Sequence, residues 1–427
     1  MINMGILSIL ILLLVILVGF RFKINTGLLS ILAAFILGFF VLDPAGGETG
    51  RMLSDPAGKA KTLLAGWDTS LLFMMLGTTF LFTIARLNNT LEVVANKVVT
   101  FARGKTRVIP LLFFFLCFVI SAVGPGNIAT CALMIPIAMA VAKEEQINPL
   151  LMAGTIIAGC NAGALSPIAP TGIVALSLSE RIGLSDPGLG MHFLLQMFIA
   201  QFVFFLLIYI VLKGYRLPSK TPIQKDQVHL NKKQTLTLLV IGLTILSIVV
   251  FKTDVGFTGF TAAFVLLLFR AADEKQSILG VPWGTIVMVC GVGVLVNVIS
   301  IAGGIDLIED IFSSIMTPGS APAIMALIGS LLSIVSSSIG VVLPTLIPTV
   351  PGVVENLSAD PVAIVTGIII GAHMVTTSPF STMGGLAMAT ASSEDLTDKN
   401  KFYKQLLMLG FAGIVFGLIV VFIGFAR

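Results

Sequence analysis

Two stretches 212 residues apart, SPIAPTGIVA from Ser166 to Ala175 and SPFSTMGGLA from Ser378 to Ala387, gather serine, proline, threonine and glycine inside apolar surroundings. Two further polar breaks accompany them, AVGPGNIAT over 122–130 and SSSIGVVLPT over 336–345. Proline and glycine stop a helix, and a stopped helix leaves free N–H groups at one end and free carbonyls at the other. Positive helix ends and N–H groups suit an anion, whereas carbonyls joined by Ser, Thr and Asn oxygens suit sodium. None of the four breaks contains Lys or Arg, and no Asp or Glu lies at the centre of an apolar segment. The chemistry expected is therefore the holding of an anion by hydroxyls, an amide and dipoles, with cations sharing its charge, since a bare dianion would meet a severe desolvation cost.

The candidates follow from the breaks. For an anionic substrate they are Gly126, Asn127, Ser166, Pro167, Thr171, Ser337, Ser338, Thr377, Ser378 and Thr382. For a metal cation they are Gly124, Asn127, Thr130, Asn161, Ser336, Ser338, Thr376 and Ser381. Asn127, an amide at a glycine-rich tip, is favoured as a ligand over a loop cap. The hydroxyl residues have an alternative role, because Ser and Thr commonly bond their own helix backbone. Pro125, Pro167 and Pro379 also terminate helices. His373 is the one imidazole in a break; it is either packed or the carrier of a coupling proton. The GPG tripeptide lacks the lysine and preceding strand of a phosphate loop.

The elements around these residues must lie in a membrane. Of 427 residues, 56% are hydrophobic and only 11% charged, against about 25% charged in a soluble domain. Apolar stretches recur from end to end and a helix needs about 20 residues to cross the hydrocarbon, so no sizeable soluble domain is expected. The first segment, GILSILILLLVILVGF, has no basic residue before it and no small-residue cleavage site after it, and reads as a span rather than a signal peptide. Threading the spans in order puts 19 of the 25 Lys and Arg on one set of loops and 6 on the other. The positive-inside rule makes the richer set cytoplasmic and leaves both termini extracytoplasmic. These loops signal topology, and no nucleic-acid partner is implied. Cys117, Cys131, Cys160 and Cys290 lie in apolar stretches without metal-ligand spacing and read as small core residues.

The fold class expected is an all-α polytopic membrane protein made of two inverted repeats. Residues 1–212 form the first repeat, 213–233 a polar cytoplasmic linker and 234–427 the second. WDTSLLFMMLG from Trp67 aligns with WGTIVMVCGVG from Trp283 at an offset of 216; beyond it Ser121 falls on Ser333, Pro136 on Pro348, Gly159 on Gly371 and Ser166–Pro167 on Ser378–Pro379 at 212. Five crossings are expected per repeat, one of them interrupted: near 2–20, 24–42, 66–86, 149–179 and 191–212, then 234–252, 256–270, 284–303, 361–392 and 403–425. Residues 108–142 and 322–356 are expected to fold as re-entrant hairpins, each preceded by an interfacial amphipathic helix. The first helix places Leu91, Val94, Val98 and Phe101 on one face, the second Ile308, Ile311, Phe312 and Ile315. An odd number of crossings turns the second repeat upside down, an arrangement common in secondary transporters.

With GPGNIAT and SSSIGV at the two tips and Ser-Pro in the two interrupted spans, the chain resembles the ion transporter superfamily, in particular dicarboxylate carriers related to the malonate carrier and, more distantly, the divalent anion/sodium symporters. The symporters carry Ser-Asn-Thr at each tip, binding carboxylate and sodium. Here Asn127 and Thr130 match at the first tip, and Ser337 and Ser338 at the second, which lacks an Asn. The resemblance implies a homodimer in the inner membrane, with 1–106 and 234–321 as scaffold and 107–212 and 322–427 as a transport domain that slides like an elevator. The expected function is Na+-coupled symport of a small dicarboxylate. Proton coupling through His373 and Na+/H+ antiport are the rivals, although antiport usually needs an intramembrane carboxylate. An enzyme is not expected, because the break serines have no partner carboxylate and no metal motif is present.

Overall fold

The computed structural model describes residues 4–38, 56–101, 105–218, 230–390 and 399–424. In chain order its helices are α1 (Met4–Phe22), α2 (Thr26–Ile36), α3 (Pro56–Leu64), α4 (Thr69–Leu87), α5 (Thr90–Phe101), α6 (Ile109–Val123), α7 (Gly126–Glu144), α8 (Pro149–Ala164), α9 (Pro170–Arg181) and α10 (Leu189–Val211). After the linker come α11 (Lys232–Phe251), α12 (Val255–Leu268), α13 (Glu274–Leu279), α14 (Trp283–Ile301), α15 (Gly304–Ile315) and α16 (Ala321–Val335). A π turn (Ser338–Val342), α17 (Leu343–Leu346), a 3-10 turn (Ile347–Thr349) and α18 (Val350–Leu357) follow, then α19 (Pro361–Met374), α20 (Thr382–Thr390) and α21 (Lys399–Phe422). There is no strand among the described residues, and 8 helical segments are long and apolar enough to cross a membrane.

The outward faces are apolar, as lipid requires. Met191, Leu195, Ile199, Val203 and Leu207 form an exposed stripe along α10, and Leu239, Leu243, Leu246 and Val250 another along α11. Residues three or four apart share a helix face, so each stripe turns one side of its helix outward. The four cysteines are buried and free.

The same contacts recur in the two halves of the chain. The Ser121 hydroxyl donates to the Cys160 carbonyl at 2.7 Å, and 212 residues on the Ser333 hydroxyl donates to the Ala372 carbonyl at 2.7 Å. Asn148 caps α8 through the Leu150 N–H at 2.9 Å, and Asp360 caps α19 through the Val362 N–H at 2.9 Å. The residues that enter these caps, Gln146 and Ser358, both have left-handed backbone, with φ of 57° and 53°. Helix α6 lies against α8 where a Cβ on Gly159 would come 2.6 Å from the Phe114 carbonyl oxygen; α16 lies against α19 where one on Gly371 would come 2.0 Å from that of Ala326.

The halves also exchange partners. Helix α4 packs on α12 and α14 packs on α2. At both crossings backbones touch through glycine: a Cβ on Gly77 would lie 2.2 Å from the Gly256 carbonyl oxygen, and one on Gly291 2.4 Å from that of Gly27. Small residues of this kind let membrane helices approach closely enough for dispersion to hold them. The Asp68 carboxylate caps α4 through the Leu71 N–H, accepts from the Ser177 hydroxyl at 3.0 Å and pairs with Arg181 at 2.8 Å, which ties the end of α9 to the start of α4.

Several elements differ from expectation. The short helices α3 and α13 occupy stretches read as loop, because each has too few apolar residues to register as a span. The descending limb of the second hairpin region is a π turn, a helical turn, a 3-10 turn and a last helix rather than one rod, since Pro344, Pro348 and Pro351 each remove a backbone donor. The expected span 24–42 is helical over Thr26–Ile36, and 39–42 lie outside the described residues, as do 219–229 of the linker. On the second amphipathic helix Ile311 and Ile315 are exposed; on the first, the side chains of Val98 and Phe101 lie outside the described set.

The Gly291–Gly27 crossing gives a direct test. Gly291→Leu is expected to lower thermal stability by about 3 kcal/mol through overpacking, whereas Gly242→Leu, where a Cβ would meet nothing within 4 Å, is expected to leave the melting temperature of the detergent-solubilised protein within a degree or so.

Candidate functional site

The first tip is a tight turn between α6 and α7. Gly124 has φ of +150°, and a Cβ there would lie 1.9 Å from the Phe82 ring of α4, so only glycine closes this turn against that ring. Asn127 then sits in the first turn of α7, nearly buried at 7% exposure. Its Oδ1 accepts the Ile128 N–H at 3.0 Å and its Nδ2 donates to Asn161 Oδ1 at 3.0 Å. Asn161 Nδ2 in turn donates to Thr376 Oγ1 at 2.6 Å and to the His373 carbonyl at 3.2 Å. Both amides are oriented by backbone groups that can play one role only, the Ile128 donor at one end and the His373 acceptor at the other. A single chain of hydrogen bonds thus joins the first tip to both interrupted spans.

The second tip is built from hydroxyls. Ser337 caps the π turn through the Gly340 N–H at 3.2 Å, and Ser336 donates to the Leu332 carbonyl at 2.6 Å. Ser333 and Ser338 both donate to the Ala372 carbonyl at 2.7 Å while their own oxygens stand 2.9 Å apart. Three oxygens so placed have two hydrogens among them for three contacts. In the second break Ser381 donates to the Thr376 and Ser378 carbonyls and accepts the Gly384 N–H at 3.1 Å.

These groups surround a cavity of about 360 Å3, its open mouth included, lined by Asn127, Ile128, Ser333, Ser336, Ser337, Ser338, Ile339, Thr376, Ser381, Thr382 and Met383. No charged side chain lines it. Helices α7 and α20 both begin at it, at Gly126 and Thr382, so two positive helix ends meet there. What such a place can hold is an anion of modest size, bonded by hydroxyls, an amide and first-turn N–H groups.

Seven of the expected residues line this cavity: Asn127, Ser336, Ser337, Ser338, Thr376, Ser381 and Thr382. Asn161 stands one layer behind, fully engaged. Gly124 and Gly126 shape the tip. Thr130 lines a different cavity, beside α4. Ser166, Pro167 and Thr171 surround the first break and do not line the cavity; Pro167 packs against Gly190 at the start of α10. The Thr377 hydroxyl is buried without a partner, and Ser378 packs against Gly410 of α21. Ser333 was not among the expected ligands, though its coincidence with Ser121 in the repeat was the signal that marked it. His373 Nδ1 lies 2.8 Å from the Ile369 carbonyl and therefore carries the proton, which leaves Nε2 a buried lone pair without a partner.

Residues 2–164 match the family described as dicarboxylate carrier protein MatC N-terminus, which bears out the resemblance over that part of the chain. The architecture is similar to that of the Alcanivorax borkumensis YdaH transporter, with a TM-score of 0.60 and 12% identity over 99% of this chain and 98% of that one. It is also similar to Neisseria gonorrhoeae MtrF, an antimetabolite efflux pump, with a TM-score of 0.59 and 14% identity over 99% and 95% of the two chains. No curated protein matches the sequence. The matched family and both similar structures are carriers or transporters rather than enzymes, and the chain is a multi-pass membrane protein of transporter fold.

Asn161 is the hinge of the hydrogen-bond chain. Asn161→Ala leaves the Asn127 amide and the His373 carbonyl short of partners, and is expected to destabilise the solubilised protein by about 2–3 kcal/mol, seen as a lower melting temperature; Ser166→Ala is expected to cost about 1 kcal/mol or less.

Proposed function

We propose, for a chain whose residues 2–164 match a dicarboxylate-carrier family, secondary active transport of a small dicarboxylate such as malonate or succinate, driven by sodium symport. The observation that carries this reading is the cavity where Asn127 meets the serines of the second tip: oxygen-rich, free of charged side chains and faced by two helix N-termini. A dianion bound there needs positive charge from elsewhere, because dipoles and neutral donors alone repay only part of its desolvation. Sodium ions are the charge on offer, and they travel as cargo rather than staying as a cofactor.

The cluster of Ser333 Oγ, Ser338 Oγ and the Ala372 carbonyl supports a cation site at the second tip. It has one fewer hydrogen than contacts, and a cation set against the three oxygens relieves that shortfall. Ser336, Thr376 and Ser381 stand in the same wall. Among the described residues no three His, Cys, Asp or Glu side chains gather, so neutral oxygens are the cation ligands in this reading. Asn127 with Ser337, Ser338 and Thr382 takes the carboxylates.

The movement is an elevator stroke in a homodimer of the inner membrane, with the two repeats inverted and both termini extracytoplasmic. The segregation of contacts supports it: α2, α4, α12 and α14 pack on one another, and α6, α8 and α10 pack together as do α16, α19 and α21. Proton coupling is the second reading, favoured by the buried, unpartnered lone pair of His373 Nε2 at the second break.

Uptake of labelled malonate and succinate into vesicles tests these points. Replacing external sodium by choline is expected to abolish uptake; full uptake in choline with loss on His373→Gln would establish proton coupling instead. Asn127→Ala is expected to abolish uptake in a protein that remains folded, and normal uptake would remove the first tip from the site. Ser338→Ala is expected to raise the sodium concentration for half-maximal uptake by about tenfold, while Ser378→Ala is expected to change substrate affinity by no more than about twofold.

A further inference from the structure

The first turn of α7 has two faces, and each borders a cavity. Along it Asn127 and Ile128 lie on one flank and Ala129, Thr130 and Leu133 on the next, Thr130 standing only about 60° round from Asn127 at ~100° per residue. The first pair faces the cavity described above, and the second group faces another, of about 460 Å3 with its open mouth included. Phe82 and Arg86 of α4, Pro125 and Thr130 of the hairpin, and Gly280 are among its walls. It therefore lies between the hairpin and α4, separated from the oxygen-lined cavity by one helical turn.

Two observations at this second cavity point to an anion. Arg86 is the one basic side chain lining either cavity, and it is exposed. A single contact to the Gly280 carbonyl at 3.1 Å holds its guanidinium in place, leaving further donors of the fork for a ligand. Thr130 is 1% exposed and its Oγ1 has no hydrogen-bond partner, an arrangement that costs free energy until something accepts its proton. The other hydroxyls of the wall are already committed: Thr79 donates to Met75, and Thr83 to Thr79 and Gly280. A guanidinium fork and one buried free hydroxyl, set among Phe82, Pro125 and Leu133, fit a carboxylate with a short apolar stem.

We propose that this cavity is a release site on the cytoplasmic side, where Arg86 and Thr130 hold one carboxylate of the solute as it leaves the central cavity past the hairpin tip. The proposal rests on the reading of the solute as a small dicarboxylate. It gives α4 a part in binding, although every ligand of the central cavity comes from the hairpins and interrupted spans.

The test measures binding of malonate and of succinate by titration calorimetry on the full-length protein in detergent with sodium, beside vesicle uptake of the same two probes. Asn127→Ala is expected to stop uptake yet retain one binding site. Adding Arg86→Gln is expected to weaken that residual binding about tenfold or more, and adding Thr130→Val about threefold; Arg86→Lys is expected to fall between Gln and Arg. In the otherwise unaltered protein Arg86→Gln is expected to raise KM for internal solute in efflux from loaded right-side-out vesicles, with Vmax nearly unchanged, and to leave KM for external solute in uptake as it was. Wild-type uptake with no residual binding in Asn127→Ala, or residual binding indifferent to both Arg86→Gln and Thr130→Val, or an unchanged efflux KM in Arg86→Gln, overturns the release site and leaves the transport reading standing. Neither uptake nor binding of either probe by the wild type overturns both.

Discussion

A helix broken open inside a bilayer exposes backbone groups that lipid cannot satisfy, and everything at the centre of this protein answers that constraint. The carbonyls of Cys160 and Ala372, just before the two breaks, are met by the hydroxyls of Ser121 and Ser333 from the neighbouring hairpin limbs. The His373 carbonyl is met by Asn161 and by Thr376. These bonds fix where the hairpins stand relative to the interrupted spans. The oxygen-lined cavity is the space left once they have been made, lined by the hydroxyls and N–H groups that remain.

The two halves of the chain supply matching parts of this centre and differ where it opens. The two copies meet across their own symmetry, since Asn161 and His373 occupy corresponding positions and are hydrogen-bonded to each other's segment. At the tips the copies have parted: Asn127 corresponds to Ile339, and Gly126 to Ser338. One tip offers an amide and a free helix end, the other a cluster of serine oxygens. The proposed site for an anion and its accompanying cations draws on that asymmetry, while the frame around it rests on the shared glycine contacts of Gly159 and Gly371.

Much of this was legible in the sequence because membrane helices have few ways to be polar. Ser-Pro in an apolar run signals a break, and the ungapped register of 212 residues aligns contacts that the structure shows to be equivalent, down to the caps at Asn148 and Asp360. What sequence could not supply was direction. Ser378 and Ser381 stand three residues apart in the same break, yet one packs on Gly410 and the other lines the cavity. Ser333 was visible only as a repeat marker, because its hydroxyl turns inward from a limb rather than from the tip. Thr130 was read beside Asn127, and although three residues apart on one helix the two open on neighbouring cavities. The broken limb after Ser338 escaped for a related reason: its prolines are spaced so that short helical turns survive between them, and hydropathy averages over all of them.

The central claim is that the two repeats lie upside down relative to each other, so that equivalent loops emerge on opposite sides of the membrane. Gln146 and Ser358 are equivalent turn residues with the same left-handed backbone, and the four native cysteines are buried. Single cysteines at 146 and 358, reacted in intact cells with a membrane-impermeant maleimide, report the side on which each lies. Labelling at 358 with protection at 146 is the result expected here; labelling of both, or of neither while permeabilised cells label both, would contradict the inverted arrangement and the single shared chamber that depends on it.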